Sequence, residues 1–337
     1  MEKSNDSNTP FDLVLVGHFA FDTIVLQNPY SKSQSLGGGV TYGSLAARFY
    51  QSDALIGIIS KIKANESLNC LKPISKNKIN IDGVRQEGSY NTEYLLKYHD
   101  HGRDLQLISK ANEIDIHDFP PSYFNTRAIH LTPIADEFTP EFLNDLSKHQ
   151  EIQDAIIGVD VQGFIRGFDE CGNITIKNGT ADHQQIFDML SKFGSRMFFK
   201  ASDLEAQGVT HEKDLKKATE LLGLTGAYIL TTLGDKGLYF KAPNHPLIHI
   251  NAYRPIQCVD ETGAGDCFMA VLLLQIGQIA PNERSFENIV EAIQIASSAS
   301  SFLIEKKGPN GFQTKWKILS RIKAENEILF KEDNLKS

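Results

Sequence analysis

CVDETGAGDCFMA, residues 258–270, sets two glycines and a lone acid between an apolar approach and an apolar run. Gly263 and Gly265 permit backbone conformations that a side chain forbids, and they let a ligand approach the main chain closely. If a helix begins near Asp266, its first amides lack partners within the helix and carry partial positive charge. Such a helix mouth binds phosphate without a basic patch. A carboxylate beside bound phosphate is repelled, unless its task is to take a proton from a hydroxyl attacking the phosphorus. Taken alone, the pattern is more often a plain helix start with Asp266 as a first-turn acid. The rest of the chain has to decide.

Composition narrows the choice. With 337 residues, 41% hydrophobic and 23% charged, the chain suits one large domain, alone or with a small appendage. A net charge of −8 argues against a nucleic-acid surface, so an anionic ligand needs a local cradle. Cys70, Cys171, Cys258 and Cys267 form no CxxC pair and have no metal-ligand spacing, which fits a reducing interior. MEKSNDSNTP, residues 1–10, predicts a disordered tail without an apolar signal core. Even FMAVLLLQIGQIA is too short to cross a membrane. The expectation is a cytoplasmic protein with neither nucleic-acid nor membrane partner.

Along the chain, Leu13 to Val16 predicts a buried strand ending at Gly17, followed by a loop carrying Asp22. SLGGGVTYGSLAARFYQ is a glycine turn that becomes helical, and DALIGIIS is a second strand. Ser89 to Ile108 differs: two β-rich runs meet at DHGRD, which is hairpin chemistry, so a small sheet should project from the body. RAIHLTPI, DAIIGVDVQG and RMFFKAS are strand-like with helical intervals, and GAYILTTLGDKGLYFKA reads strand, turn, strand. That alternation predicts an α/β fold of three layers, a doubly wound and mostly parallel sheet with a small β sheet projecting from it. GAGDCFMAVLLLQIG and IQIASSASSFLIEK are helical, and the lysine- and glutamate-rich end predicts a surface helix that frays into a tail over 326–337.

There is no GxxxxGK[ST], HExxH or nucleophile-elbow serine, and GGGVTYG lacks dinucleotide-fold spacing. The chain resembles the ribokinase-like (PfkB) carbohydrate kinases over about residues 11 to 315, with the domain extending to about 325. DETGAGD is similar to the family's C-terminal signature, which implies Asp266 as catalytic base and an anion hole at Gly263, Ala264 and Gly265. GGGVTYGSLAARF resembles the acceptor signature, placing Gly37, Gly38 and Thr41 near substrate, while Asp22 stands where the family binds substrate hydroxyls. TTLGDKG resembles the TxGxxG turn beside the nucleotide. The resemblance puts Lys200, Ser202, Thr232, Gly234, Gly237 and Thr262 on the donor side and the lid at about 21–36 and 88–110. Two departures stand out. Thr41 and Tyr42 occupy positions where the family often has Asn, and SDLE replaces NxxE, so Ser202 stands for Asn while Glu205 remains to order Mg²⁺ through water.

LGGGVTY, DVQGFIRGFD and FFKASDLEA together resemble the inositol-kinase branch, adding Gln162 and Arg166 to the acceptor side. Arg103 at the hairpin tip is either a solvated charge or a lid contact, and Asp160 with Arg166 is either an ion pair or a ligand contact. Cys267 is expected as a packed small residue. The resemblance implies ATP and Mg²⁺, with a monovalent cation as a further candidate, acting on a small polyol or sugar of the myo-inositol type. The rivals are a nucleoside or other sugar kinase of the same fold, or a catalytically silent sugar-binding regulatory protein. The assembly is a monomer or a homodimer paired through the lid.

Overall fold

The structure, a computed structural model, describes residues 9–27, 30–99, 102–177 and 180–336. Residues 1–8 of the expected tail and the hairpin tip at 100–101 lie outside the described residues. The first half contains β1 (Leu13–Val16), β2 (Ala20–Gln27), β3 (Tyr30–Gly37), α1 (Gly39–Tyr50) and β4 (Ile56–Ile62). The one-turn α2 (Lys72–Ser75), β5 (Asn80–Gln86), β6 (Thr92–His99) and β7 (Gly102–Ser109) complete it. Next come β8 (Ala128–Leu131), α3 (Phe142–Lys148), β9 (Ile156–Asp160), the short α4 (Gln162–Ile165), β10 (Arg166–Phe168) and β11 (Ile174–Ile176). Then follow α5 (Thr180–Phe193), β12 (Met197–Ser202), α6 (Asp203–Thr210), α7 (Leu215–Gly223) and β13 (Tyr228–Thr232). The chain closes with β14 (Leu238–Lys241), β15 (Ile248–Ile250), α8 (Ala264–Gln278), α9 (Phe286–Leu303) and α10 (Lys315–Lys336).

Nine strands form one sheet in the order β15-β14-β13-β12-β9-β8-β1-β4-β5. It is parallel from β5 through β13, and β14 alone runs the other way, pairing antiparallel with both β13 and β15. The strand LVLV is apolar throughout because both of its faces are covered. Leu13 and Leu15 join the core beneath α1, α8 and α9, whereas Val14 and Val16 join the core beneath α3, α5, α6 and α7. The expected three-layer α/β architecture with a separate small sheet is therefore present.

From β1 the chain builds outward to β4 and β5, then returns to add β8, β9, β12 and β13 on the other side. Such a reversal opens a crevice at the strands' carboxyl ends. Over it stands the lid, a four-stranded sheet in the order β3-β2-β6-β7. Its inner face packs Ala20, Tyr94 and Leu96 on Ile134 and Ala135. Asp22 is a correction: it sits within strand β2, opposite Ser35 and Tyr94, rather than in a loop. An Asp disfavours strand locally, and the β6 partner that overrides this lies far away in sequence. The C-terminal stretch is also more regular than expected, since α10 continues to Lys336.

Candidate active site

A cleft of about 270 Å³ lies at the switch point, between the carboxyl ends of β8, β9 and β12, the lid and the loop entering α8. A wider depression of about 410 Å³ lined by Phe138, Leu143 and Phe164 shares Pro133 with it.

Helix α8 starts at Ala264 because Gly263 turns the chain in the left-handed region, with φ of 80°. Any side chain at Gly263 would strike the Tyr42 ring. The Ala264 N–H donates to the Glu261 carbonyl at 3.2 Å and the Cys267 N–H to the Gly263 carbonyl at 2.9 Å. Of the three amides the signature implied, that of Ala264 is thus engaged within the loop, and the Gly265 and Asp266 amides lie in the first turn of the helix. The loop is braced from both sides. Asp260 accepts from the Thr262 N–H at 3.0 Å and the Gly308 N–H at 2.8 Å, and the Ser300 hydroxyl donates to the Ala264 carbonyl at 2.9 Å. Donors fixed in this way need little reorganisation when charge develops.

Three charged groups converge at the mouth. A Cβ on Gly39 would come within 2.7 Å of an Asp266 carboxylate oxygen, and a Cβ on Gly265 within 2.7 Å of the Lys200 ammonium. Lys200 pairs with Asp160 at 2.6 Å, because the two residues are register neighbours on the parallel strands β12 and β9. Burial opposes the Lys200 charge, yet Asp160, Glu205 and Asp266 outweigh it and hold the ammonium protonated above its ordinary range. Burial likewise opposes the Asp160 charge, and Lys200 overrides it, keeping Asp160 ionised below the usual carboxylate range. Burial and then Asp160 push the Asp266 carboxyl up to about 7, against the pulls of Lys200 and Arg166. Two neighbouring acids thus have opposite shifts, the pattern that separates a fixed counter-ion from a proton acceptor. The neighbouring Cys267 thiol is buried and pushed up to about 12, chiefly by burial, and is a packed residue.

Of the other expected residues, Asp22, Gly38, Gln162, Arg166, Lys200, Ser202, Glu205 and Thr262 line the same cleft. Gly37 lies against the Asp22 carboxylate, so a side chain there would displace it. Thr41 is a correction: it is buried, and its hydroxyl donates to the Gly37 carbonyl at 2.6 Å, so it braces the turn instead of facing the cleft. Arg103 lies on β7, and its side chain is outside the described residues. Asp160 takes Lys200 as an ion-pair partner. Thr232, Gly234 and Gly237 stand one strand beyond, with Thr232 in register with Ser202. Gly237, at φ of 91°, passes so close to the Ile250 carbonyl that only glycine fits.

Ser202 and Glu205 form a reciprocal capping box at the start of α6. The Ser202 hydroxyl accepts from the Glu205 N–H at 3.3 Å, and the Glu205 carboxylate accepts from the Ser202 N–H at 2.7 Å. Serine in place of asparagine therefore keeps the helix cap. Ser202→Ala should lower stability by about 1 kcal/mol in chemical denaturation, whereas Ser202→Asn, an equal cap, should hold it. For a metal, the described residues contain no cluster of three or more His, Cys, Asp or Glu side chains suited to hold one. The single carboxylate Glu205 fits Mg²⁺ bound mainly through donor phosphates and water.

Sequence reasoning gave no site role to Thr132, Tyr42, Tyr94 or Glu261, all of which line the cleft. Thr132 directly follows a strand that was recognised, and residues at the carboxyl ends of parallel strands are the ones a crevice exposes. Nothing local marks Tyr94, whose role depends on the lid folding over.

An α/β sheet with a glycine-turned helix mouth, an acid of raised pKa and a β lid defines a phosphotransferase that uses an alcohol group as acceptor. Residues 190–316 match the model of the pfkB family carbohydrate kinases. The chain is 25% identical to the cytidine kinase of Thermococcus kodakarensis, over 81% of this chain and 91% of that one. The fold is shared with a fructokinase with bound ATP from Xylella fastidiosa (TM-score 0.75, 15% identity, covering 94% of this chain and 99% of that one). It is also shared with a pyrophosphate-dependent kinase of the ribokinase family complexed with a pyrophosphate analogue and myo-inositol (TM-score 0.68, 20% identity, covering 88% and 96%). Among the described residues no helix is long and apolar enough to cross a membrane.

Proposed function

We propose that this chain is a Mg²⁺-dependent kinase that transfers the γ-phosphoryl group of ATP to a hydroxyl of a small cyclic polyol of the myo-inositol type. The observation that carries it is the apposition of Asp266, the Gly39 backbone, the α8 mouth and Lys200 in one cleft. The acceptor lies between the lid and Gly38–Gly39, with Asp22, Gln162 and Arg166 as its polar contacts. Asp266 takes the hydroxyl proton as the oxygen bonds to the γ-phosphorus, and the bond from phosphorus to the bridging oxygen of ADP breaks. The Gly265 and Asp266 amides and Lys200 hold the negative charge that moves onto the leaving phosphate. Mg²⁺, when bound with the donor and organised by Glu205, supplies further positive charge at the phosphates.

A base must be ionised to act. With the Asp266 carboxyl up at about 7, kcat/KM should fall tenfold per pH unit below about 7 and level off above it. A pH–rate profile that stays flat from pH 5 to 8 would remove Asp266 from that role. A second reading, a nucleoside acceptor, is favoured by the apolar lid wall of Tyr94, Leu96, Leu105 and Ile134 and by the likeness to a cytidine kinase. Polyol hydroxyls facing that wall would lose partners, whereas a ring face would pack on it. The deciding experiment is metal-dependent turnover with ATP and with pyrophosphate as donors, across myo-inositol, other polyols, hexoses and nucleosides. Turnover of myo-inositol far above cytidine supports the first reading, the reverse supports the second, and none with any acceptor supports a silent binding protein.

A further inference from the structure

At the root of the lid, buried hydrogen bonds and a short run of β6 form a closed circuit that the chemistry above does not use. Glu137 is fully buried, and its carboxylate accepts from the backbone N–H groups of Ile134 (2.8 Å), Ala135 (2.7 Å) and His18 (3.0 Å). Those bonds fasten the acceptor wall at Pro133–Ile134 to the junction between β1 and β2. The His18 ring, also fully buried, reaches both ends of the lid hairpin. Its Nε2 meets the Asn112 carbonyl at 3.0 Å, just past β7, and its Nδ1 meets the Thr92 hydroxyl at 2.7 Å, where β6 begins.

The directions of these bonds follow from the chemistry. A carbonyl only accepts, so Nε2 carries the hydrogen. Burial lowers the His18 pKa and keeps the ring neutral, so Nδ1 accepts from the Thr92 hydroxyl. That hydroxyl in turn accepts from the Ala111 N–H at 3.1 Å. Two residues along β6, the Tyr94 hydroxyl donates to the Ile134 carbonyl at 2.6 Å and closes the circuit. From Ile134 it runs through Glu137, His18, Thr92 and Tyr94 back to Ile134. One residue, His18, bonds the acceptor wall with its backbone and the lid with its side chain.

We infer that His18 is a positioning residue that couples the lid to the acceptor wall, so that the wall at Ile134 and the β6–β7 hairpin keep one fixed relation as the cleft closes. The closure itself rests on the kinase reading, but the coupling can be tested without any ligand. Hydrogen exchange would be measured on the full chain for wild type, Thr92→Val and Thr92→Ser. Removing the Thr92 hydroxyl should speed exchange of the Ile134 and Ala135 amides at least tenfold, and serine should restore protection. Acceleration confined to Ala111 and Asn112 overturns the coupling. Should Thr92→Val fail to fold, Tyr94→Phe tests the circuit from the other side, with faster exchange at the Ala111 amide expected and no change there overturning it. In turnover, Thr92→Val should raise KM for whichever of myo-inositol or cytidine is phosphorylated about tenfold, leaving the donor KM within twofold. Equal changes in both would mean simple structural damage and overturn the inference. If wild type phosphorylates no acceptor of the full panel, the kinase reading fails while the exchange result still decides the coupling.

Discussion

Asp266→Asn should leave donor affinity near that of wild type while lowering kcat by about 10²- to 10⁴-fold, the span a positioned general base supplies. Asparagine matches aspartate in shape, so the Gly39 backbone and the α8 mouth keep their places. What is lost is the proton acceptor. The same substitution should also raise stability, with a pH dependence that marks the site. A carboxyl whose folded pKa is raised contributes its full stability below the unfolded value, near 3.8, and loses it as pH climbs through about 7. Wild type therefore carries a penalty at pH 8 that is largely absent at pH 4. The penalty is up to about 4 kcal/mol, less what water in the open cleft screens. Asparagine has no charge to bury, so the variant should gain on wild type in denaturant midpoint as pH rises from 4 to 8. Near-normal kcat would end the general-base role, and a stability difference flat with pH would end the raised carboxyl.

Much of this was legible in the sequence because it depends on short-range chemistry. The strand LVLV is apolar throughout and IIGVD is apolar up to Asp160 at its carboxyl end, as parallel strands covered on both faces are. The start of α8 follows from Gly263, and the SDLE run carries its own cap in Ser202 and Glu205. What the sequence left open or misplaced depends on distant pairing. Asp22 is a strand residue only because β3 and β6 flank β2. The Lys200–Asp160 ion pair exists because β9 and β12 lie side by side, a register no local pattern encodes. Thr41 stands in the stretch that resembles the acceptor signature, yet its hydroxyl turns inward to the Gly37 carbonyl just before α1. His18 and Glu137 are plain polar residues in sequence and become part of one circuit only once the lid folds over the sheet.

Lys200→Met is expected to be the second most damaging change, and its effects separate into two parts. Losing one partner of a buried ion pair strands the other, so Asp160 is left charged and unpaired, at a loss of about 3–5 kcal/mol of stability. Losing the ammonium beside Gly265 removes charge stabilisation at the helix mouth and should lower kcat/KM by about 10²- to 10³-fold. The double variant Lys200→Met/Asp160→Asn tells these apart. It removes the stranded charge, so stability should return toward wild type while kcat/KM stays low. The pH profile gives an independent sign. Lys200 pulls the Asp266 carboxyl down and Asp160 pushes it up, so Lys200→Met should move the midpoint above 7 and Asp160→Asn should move it below. If the double variant regained activity along with stability, Lys200 would be only a counter-ion for Asp160. If both single variants shifted the midpoint in the same direction, the opposed pulls on Asp266 would be wrong.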